Sequence, residues 1–172
     1  MSSPRSAGAD SGAGADADAR HAVTAYIGLG ANLGDAATAV ERAIRDVGQL
    51  AQSRVTARSS LYRSAPLDAD GPDYVNAVAA VETRLSAPAL LAGLQQIEDA
   101  AGRLRPYQNA PRTLDLDLLL YGSARIDSPL LSVPHPRIYQ RAFVLVPLAE
   151  IAARLVTPAQ LCAVAGQPLR RL

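Results

Sequence analysis

The stretch Arg112-Thr113-Leu114-Asp115-Leu116-Asp117-Leu118-Leu119-Leu120-Tyr121 decides how this chain is read. It alternates with period two and then turns wholly apolar, the pattern of a core strand. Successive side chains of a strand point to opposite faces. Leu114, Leu116 and Leu118 therefore share one face, and Asp115 and Asp117 share the other. Two residues of strand rise put the carboxylates about 6.5 Å apart. At an effective dielectric of about 20 their repulsion is about 2–3 kcal/mol. A core strand keeps such a pair where its face meets water or where a cation sits between the acids. Paired hard oxygen ligands suit Mg²⁺, which arrives with a nucleotide's phosphates.

Upstream, Val23 to Leu29 reads as a strand and Gly30 to Asp35 as a turn into a helix. Val40, Ala43, Ile44, Val47 and Leu50 then fall at helical spacing between Ala36 and Ala51. Val55 to Arg63 reads as a second strand, and Ser64 to Pro72 as a loop rich in breakers. Tyr74 to Thr83 alternates again as a third strand. Ser86 caps a second helix with Pro88 in its first turn, a stripe of Leu90, Leu91, Leu94 and Ile97, and Gly102 at its end. Arg103 to Arg112 is a loop leading to the two-acid strand. The order β-α-β-β-α-β is the split βαβ arrangement, which suggests a mostly antiparallel sheet covered by helices. After Gly122 a turn and short strand precede Ser132-Val133-Pro134-His135-Pro136, and Ile138 to Ala153 is mainly helical, started or kinked at Pro147.

The 172 residues suit one domain with a proper core. Residues 1–21 hold almost no large apolar side chain and are expected to be a disordered tail, with one folded domain over 22–172. The net charge of +1 supplies no global field for nucleic acid or an anionic membrane. No apolar run is long enough to span a bilayer, and the N-terminus lacks a signal-peptide pattern, so a cytoplasmic protein is expected. All 17 basic residues are arginine. With no lysine, a Walker-type phosphate grip and Schiff-base chemistry are excluded. The single cysteine, Cys162, forbids an internal disulfide and reads as a small hydrophobe.

The acid pair sits among arginines, with Arg103, Arg105 and Arg112 before it and Arg137 and Arg141 after it. Carboxylates for a metal and guanidiniums for phosphates describe a metal–nucleotide site; a solvated salt-bridge face is the blander reading. Gly28-x-Gly30-x-Asn32-x-Gly34 follows a strand like a phosphate loop, but it lacks the full dinucleotide spacing and also fits a tight strand-to-helix turn. Glu98 and Gln95 fall at the edge of the second helix's apolar stripe, where Glu98 either finds a partner or snorkels past. His135, between two prolines, is a structural hydrogen-bonder or a phosphate donor.

Five segments together resemble the hydroxymethyl-dihydropterin pyrophosphokinases of folate biosynthesis. They are Tyr26–Leu33, Ser60–Leu67, Pro72–Ala77, Pro111–Asp117 and Val133–Pro136, in family order and spacing from about Thr24 to Ile151. The Pro-Arg-Thr-Leu-Asp-Leu-Asp segment is the specific one. The resemblance implies an α+β, ferredoxin-like sandwich, in line with the element order, and transfer of pyrophosphate from ATP to the hydroxymethyl group of a reduced pterin, with release of AMP. It implies that Asp115 and Asp117 hold two Mg²⁺ ions, and that Arg103 and Arg112 act with them. Gly30, Leu67, Tyr74, Asn76 and Phe143 would line the pterin pocket, with Asn76 on the pterin's hydrogen-bonding edge and an aromatic ring on its face. Gln95, Glu98, His135 and Arg141 would contact ATP or the transferring phosphates. The expected partners are ATP and the pterin alone, with no nucleic acid and no membrane, and the chain is expected as a monomer.

The chain departs from the family pattern in its mobile loop. Asn109-Ala110 stands where a Trp-Gly is usual, the loop is one residue shorter, and Pro106 and Gln108 replace basic residues. Leu130 stands where some relatives have an arginine, and Pro136 follows the histidine in place of a tyrosine or similar residue. Altered loop closure is expected, and such loops often gate turnover. Two rivals remain: a ferredoxin-like module that binds a nucleotide or RNA without catalysis, and another Mg²⁺-dependent phosphotransferase. RNA recognition on such a sheet uses exposed aromatics and a basic face, whereas aromatics are only 4% here.

Overall fold

The computed structural model describes residues 21–66, 71–102 and 113–172. Strand β1 (Val23–Ala31) alternates as its sequence dictates: Ala25, Ile27, Leu29 and Ala31 are buried, and Tyr26, Gly28 and Gly30 face the other way. Helix α1 (Ala36–Gly48) begins where the Asp35 carboxylate accepts the Thr38 amide at 3.0 Å and the Thr38 hydroxyl at 2.7 Å. These donors hold the Asp35 carboxyl below its ordinary value. Its buried stripe is Val40, Ala43, Ile44 and Val47, as the spacing requires. The helix stops earlier than the expected Ala51. Gln52 takes a positive φ of 55° and turns the chain into the next strand.

The expected strand over Val55–Arg63 is two strands, β2 (Ser53–Arg58) and β3 (Tyr62–Ser64). The break has a side-chain cause. Ser59 holds Val78 from both sides, its amide donating to the Val78 carbonyl at 2.9 Å and its hydroxyl accepting the Val78 amide at 3.0 Å. The Ser60 amide turns outward to the Glu150 carboxylate. Hydroxyls thus compete with the ladder and interrupt it.

Strand β4 (Tyr74–Thr83) is central and buried along nearly its whole length. It pairs with β1 on one side and with β2 and β3 on the other, all antiparallel. Its small residues Ala77, Ala79 and Ala80 suit a strand covered on both faces. Helix α2 (Ala87–Ala100) is capped by Ser86, carries Pro88 in its first turn, and is followed by Gly102 at φ +82°. Strand β5 (Asp115–Tyr121) lies at the edge beside β1. The chain continues as a small hairpin of β6 (Ile126–Asp127) and β7 (Ser132–Val133), a 3₁₀ turn at Ile138–Gln140, α3 (Ala142–Ala152), α4 (Pro158–Val164) and β8 (Leu169–Arg171). The main sheet runs β5-β1-β4-β3-β8, with β2 also on β4, in a mixed α+β fold.

Helices α1 and α2 cover one face over a core that includes Leu114, Leu116 and Leu118. The opposite face, the one that carries the acids, is largely covered as well. Val78 and Leu119 pack there against Ile138, Val144, Leu145 and Leu148. Leu119, on the same face as the aspartates by alternation, joins this second core beyond them, beside the register shift at Tyr26 and Ile27. The C-terminal α4 and β8 were not foreseen, and Cys162, read as a small hydrophobe, is exposed on α4. Among the described residues no helix is long and apolar enough to cross a membrane.

Candidate active site

Where α3 stops covering the second face, the sheet opens into a cavity of about 280 Å³. Its floor follows from register. Gly28 of β1 lies opposite Asp117 of β5, and Gly30 opposite Asp115. The glycines present no side chain, so both carboxylates border open space above β1. On the other flank Gly30 pairs with Asn76 of β4. A Cβ added at Gly30 would lie 3.2 Å from Asn76 Oδ1, a tight contact that would crowd that amide. Asn76 is buried, and its Nδ2 donates to the Ser64 hydroxyl at 3.0 Å. This orients the amide, with its oxygen toward β1. Tyr74 and Phe143 also line the cavity.

The remaining wall comes from the turn after β7 and the start of α3. The His135 amide donates to the Leu119 carbonyl at 2.9 Å, tying the turn to β5. His135 Nδ1 accepts the Arg137 amide at 3.2 Å, so the neutral ring carries its proton on Nε2. That nitrogen lies 3.9 Å from Asp117 Oδ1. The Arg141 guanidinium stacks 5.3 Å from the centroid of the Phe143 ring. Gln167 braces this wall from the C-terminal segment: its Oε1 accepts the Ala142 amide and its Nε2 donates to the Gln140 carbonyl, both at 2.8 Å.

The cavity thus gathers Gly30, Tyr74, Asn76, Asp115, Asp117, His135, Arg141 and Phe143 from the residues expected. It does not gather Gln95 or Glu98. Gln95 is exposed on α2, and Glu98 is buried with Oε1 accepting the Leu116 amide at 2.9 Å. Leu116 stands between the two acids on an edge strand, so Glu98 fixes the strand that carries them. Leu67, Arg103 and Arg112 lie outside the described residues. Gly28, read in the glycine-rich turn, and Arg137, read among the arginines beside the acid pair, line the cavity too. Ser64 also lines it and had been given no role; it was legible only as a position two residues along the strand from Tyr62.

Among the described residues no cluster of three or more acids, histidines and cysteines could hold a metal. The protein's offer is two carboxylates on one strand face. That donor set fits Mg²⁺, which takes one or two carboxylates and fills its other positions with water and phosphate oxygens.

Residues 26–153 match the model of the 7,8-dihydro-6-hydroxymethylpterin-pyrophosphokinase family. The chain belongs to this family. A pyrophosphokinase of Haemophilus influenzae, named for 2-amino-4-hydroxy-6-hydroxymethyldihydropteridine, is 47% identical over 137 residues, covering 79% of this chain and 86% of that one. One of the same name from Pseudomonas aeruginosa is 46% identical over 134 residues, covering 77% and 83%. Among solved structures, the Plasmodium falciparum HPPK-DHPS protein with pteroate superposes with a TM-score of 0.62 at 12% identity, over 78% of this chain and 39% of that one. At that identity the likeness is one of fold, and this pyrophosphokinase chain spans well under half the length of that protein.

Proposed function

We infer that this cavity is the centre of an ATP-dependent pyrophosphokinase. It moves the terminal diphosphoryl group of ATP to the hydroxymethyl oxygen of 6-hydroxymethyl-7,8-dihydropterin, a step of folate biosynthesis. A lone pair of that oxygen forms a bond to the β-phosphorus. The bond from this phosphorus to the α,β-bridging oxygen breaks, its electron pair leaves with AMP, and the hydroxyl proton passes to water. Such transfers have loose transition states and depend on positioning and charge neutralisation more than on a strong base.

The observation that supports this reading most is a single cavity walled by two kinds of chemistry. The first is an oriented amide and two aromatic rings, Asn76, Tyr74 and Phe143, which suit the edge and face of a flat pterin. The second is the acid pair with His135 and Arg141, and the two meet where Arg141 stacks on Phe143. Asp115 and Asp117 would hold two Mg²⁺ ions, which supply charge neutralisation and a template for the triphosphate when bound. Asn76 would orient the pterin so that its hydroxymethyl group faces the acids. The His135 Nε2 proton and the Arg141 guanidinium would donate to phosphate oxygens. Gln95 and Glu98, on the far side of the edge strand, would reach only a nucleotide that extends past β5. Arg103 and Arg112 would act with the acids on the phosphates. We propose that residues 22–172 act as one domain, as a cytoplasmic monomer.

The test is direct. Incubation with ATP, Mg²⁺ and the reduced hydroxymethylpterin is expected to yield AMP and the pterin diphosphate. ADP as the nucleotide product would replace this reading by a simple kinase, and no turnover would make the chain a binder.

A further inference from the structure

Arg137, read so far only as one of the arginines that flank the acid pair, borders the cavity. It sits in a turn whose backbone is held at three points. The Arg137 amide donates to His135 Nδ1, its carbonyl accepts the Gln140 amide at 3.2 Å, and the next residue, Ile138, is buried in the second core. The side chain itself is exposed and forms no ion pair among the described residues. A cation on a fixed turn, facing a cavity and left unmatched by protein, is preorganised for an anion that comes from outside. The charges of the wall agree. Asp115 and Asp117 offset Arg137 and Arg141, so once divalent ions engage the acids the arginines leave the wall positive.

We propose that Arg137 is a binding residue for the β- and γ-phosphates of ATP, the part that is transferred. This rests on the pyrophosphokinase reading. The assignment to the terminal phosphates follows from placement. Arg137 shares its cavity with Asn76, Tyr74 and Phe143, and the phosphate that meets the pterin hydroxyl is the one next to them. The nucleoside end must lie elsewhere, because the β-phosphorus is the point of attack. Through its amide the same residue sets the histidine tautomer, a role that survives any change of its side chain.

The test is calorimetric titration of the full chain with MgATP and with AMP, beside steady-state kinetics. Arg137→Gln is expected to weaken MgATP about tenfold or more, as loss of a charge-assisted phosphate contact would. AMP affinity should stay within about twofold, and Arg137→Lys should restore part of the loss because it keeps charge but not the planar fork. The KM for ATP should rise far more than that for pterin. Unchanged MgATP affinity, or equal losses for MgATP and AMP, overturns the proposal. If Arg137→Gln does not fold, Arg137→Lys is read alone: selective weakening of MgATP supports the proposal and none overturns it. The two readings separate in the wild type. A chain that binds MgATP but forms no AMP defeats the pyrophosphokinase reading and leaves the titration to decide Arg137, whereas one that binds no MgATP defeats both.

Discussion

Asp115 and Asp117 border the cavity because of what stands opposite them, a glycine each on β1. The local pattern of their own strand revealed their shared face, since period-two alternation leaves no other option. It did not reveal that Leu119, placed on that face by the same alternation, is a core residue there, because the residues that cover it come from later in the chain. Asp117→Ala is expected to lower kcat about a thousandfold or more, the scale of removing a preorganised charge-stabilising group, with the melting temperature little changed. A rate near wild type would remove Asp117 from the chemistry. Gly30 offers a sharper test of the pterin side. A Cβ there meets Asn76 Oδ1 at 3.2 Å, so Gly30→Val must push the amide away from its Ser64 partner. The KM for pterin should rise about tenfold or more while ATP affinity holds, because one lost oriented hydrogen bond inside a polar site costs at least that much. Equal damage to both substrates would count against Asn76 reading the pterin.

Elements legible in the sequence are those whose stabilising groups are local. Asp35 caps α1 with a residue three positions on, and Ser86 does the same for α2. The split of the second strand was not legible, because Ser59 and Ser60 leave the ladder for Val78 and Glu150, distant in sequence. Helix α4 could have been found: Thr157 and Gln160 form a reciprocal capping box around Pro158, a signature of helix starts. The gap matters because the segment after α4 carries Gln167. Its two 2.8 Å bonds to Ala142 and Gln140 hold the peptide units on either side of Arg141. Arg141 opens α3 with no side-chain cap, so Gln167 supplies a bond that the helix start lacks. Gln167→Ala is expected to cost about 1–2 kcal/mol of stability, the value of losing such bonds. It should also weaken pterin and ATP together by several-fold, since Arg141 stacks on Phe143 and both follow the segment that Gln167 holds. Kinetics that match wild type, in a variant that melts earlier, would confine Gln167 to stability.

At the level of the molecule, one carboxylate joins three parts that are far apart in sequence. Glu150 of α3 accepts the Ser60 amide at 3.1 Å, the Ser60 hydroxyl at 2.8 Å and the Tyr62 hydroxyl at 2.8 Å, and lies 3.7 Å from the Arg171 guanidinium of β8. Through it the second helical layer is fastened to β3 and to the C-terminal strand. Burial pushes the Glu150 carboxyl up, but the Ser60 and Tyr62 donors and the Arg171 charge outweigh this and hold it below its ordinary value of 4.5. Burial and the same contact raise the Tyr62 phenol, which therefore stays a donor. A carboxyl lowered in the folded state binds protons more tightly when the chain unfolds. Its contribution is present above about pH 4.5 and is lost as the pH falls through the lowered value. Glu150→Gln should destabilise the protein at pH 7 by about 1–3 kcal/mol, as expected for hydrogen bonds to a charged group. It should also flatten the acid side of the stability curve, so that wild type and variant converge as the pH drops toward the region where Glu150 takes up its proton. Melting temperatures of both proteins across neutral to acid pH decide the matter: parallel curves would mean that the fastening owes its strength to shape and not to charge.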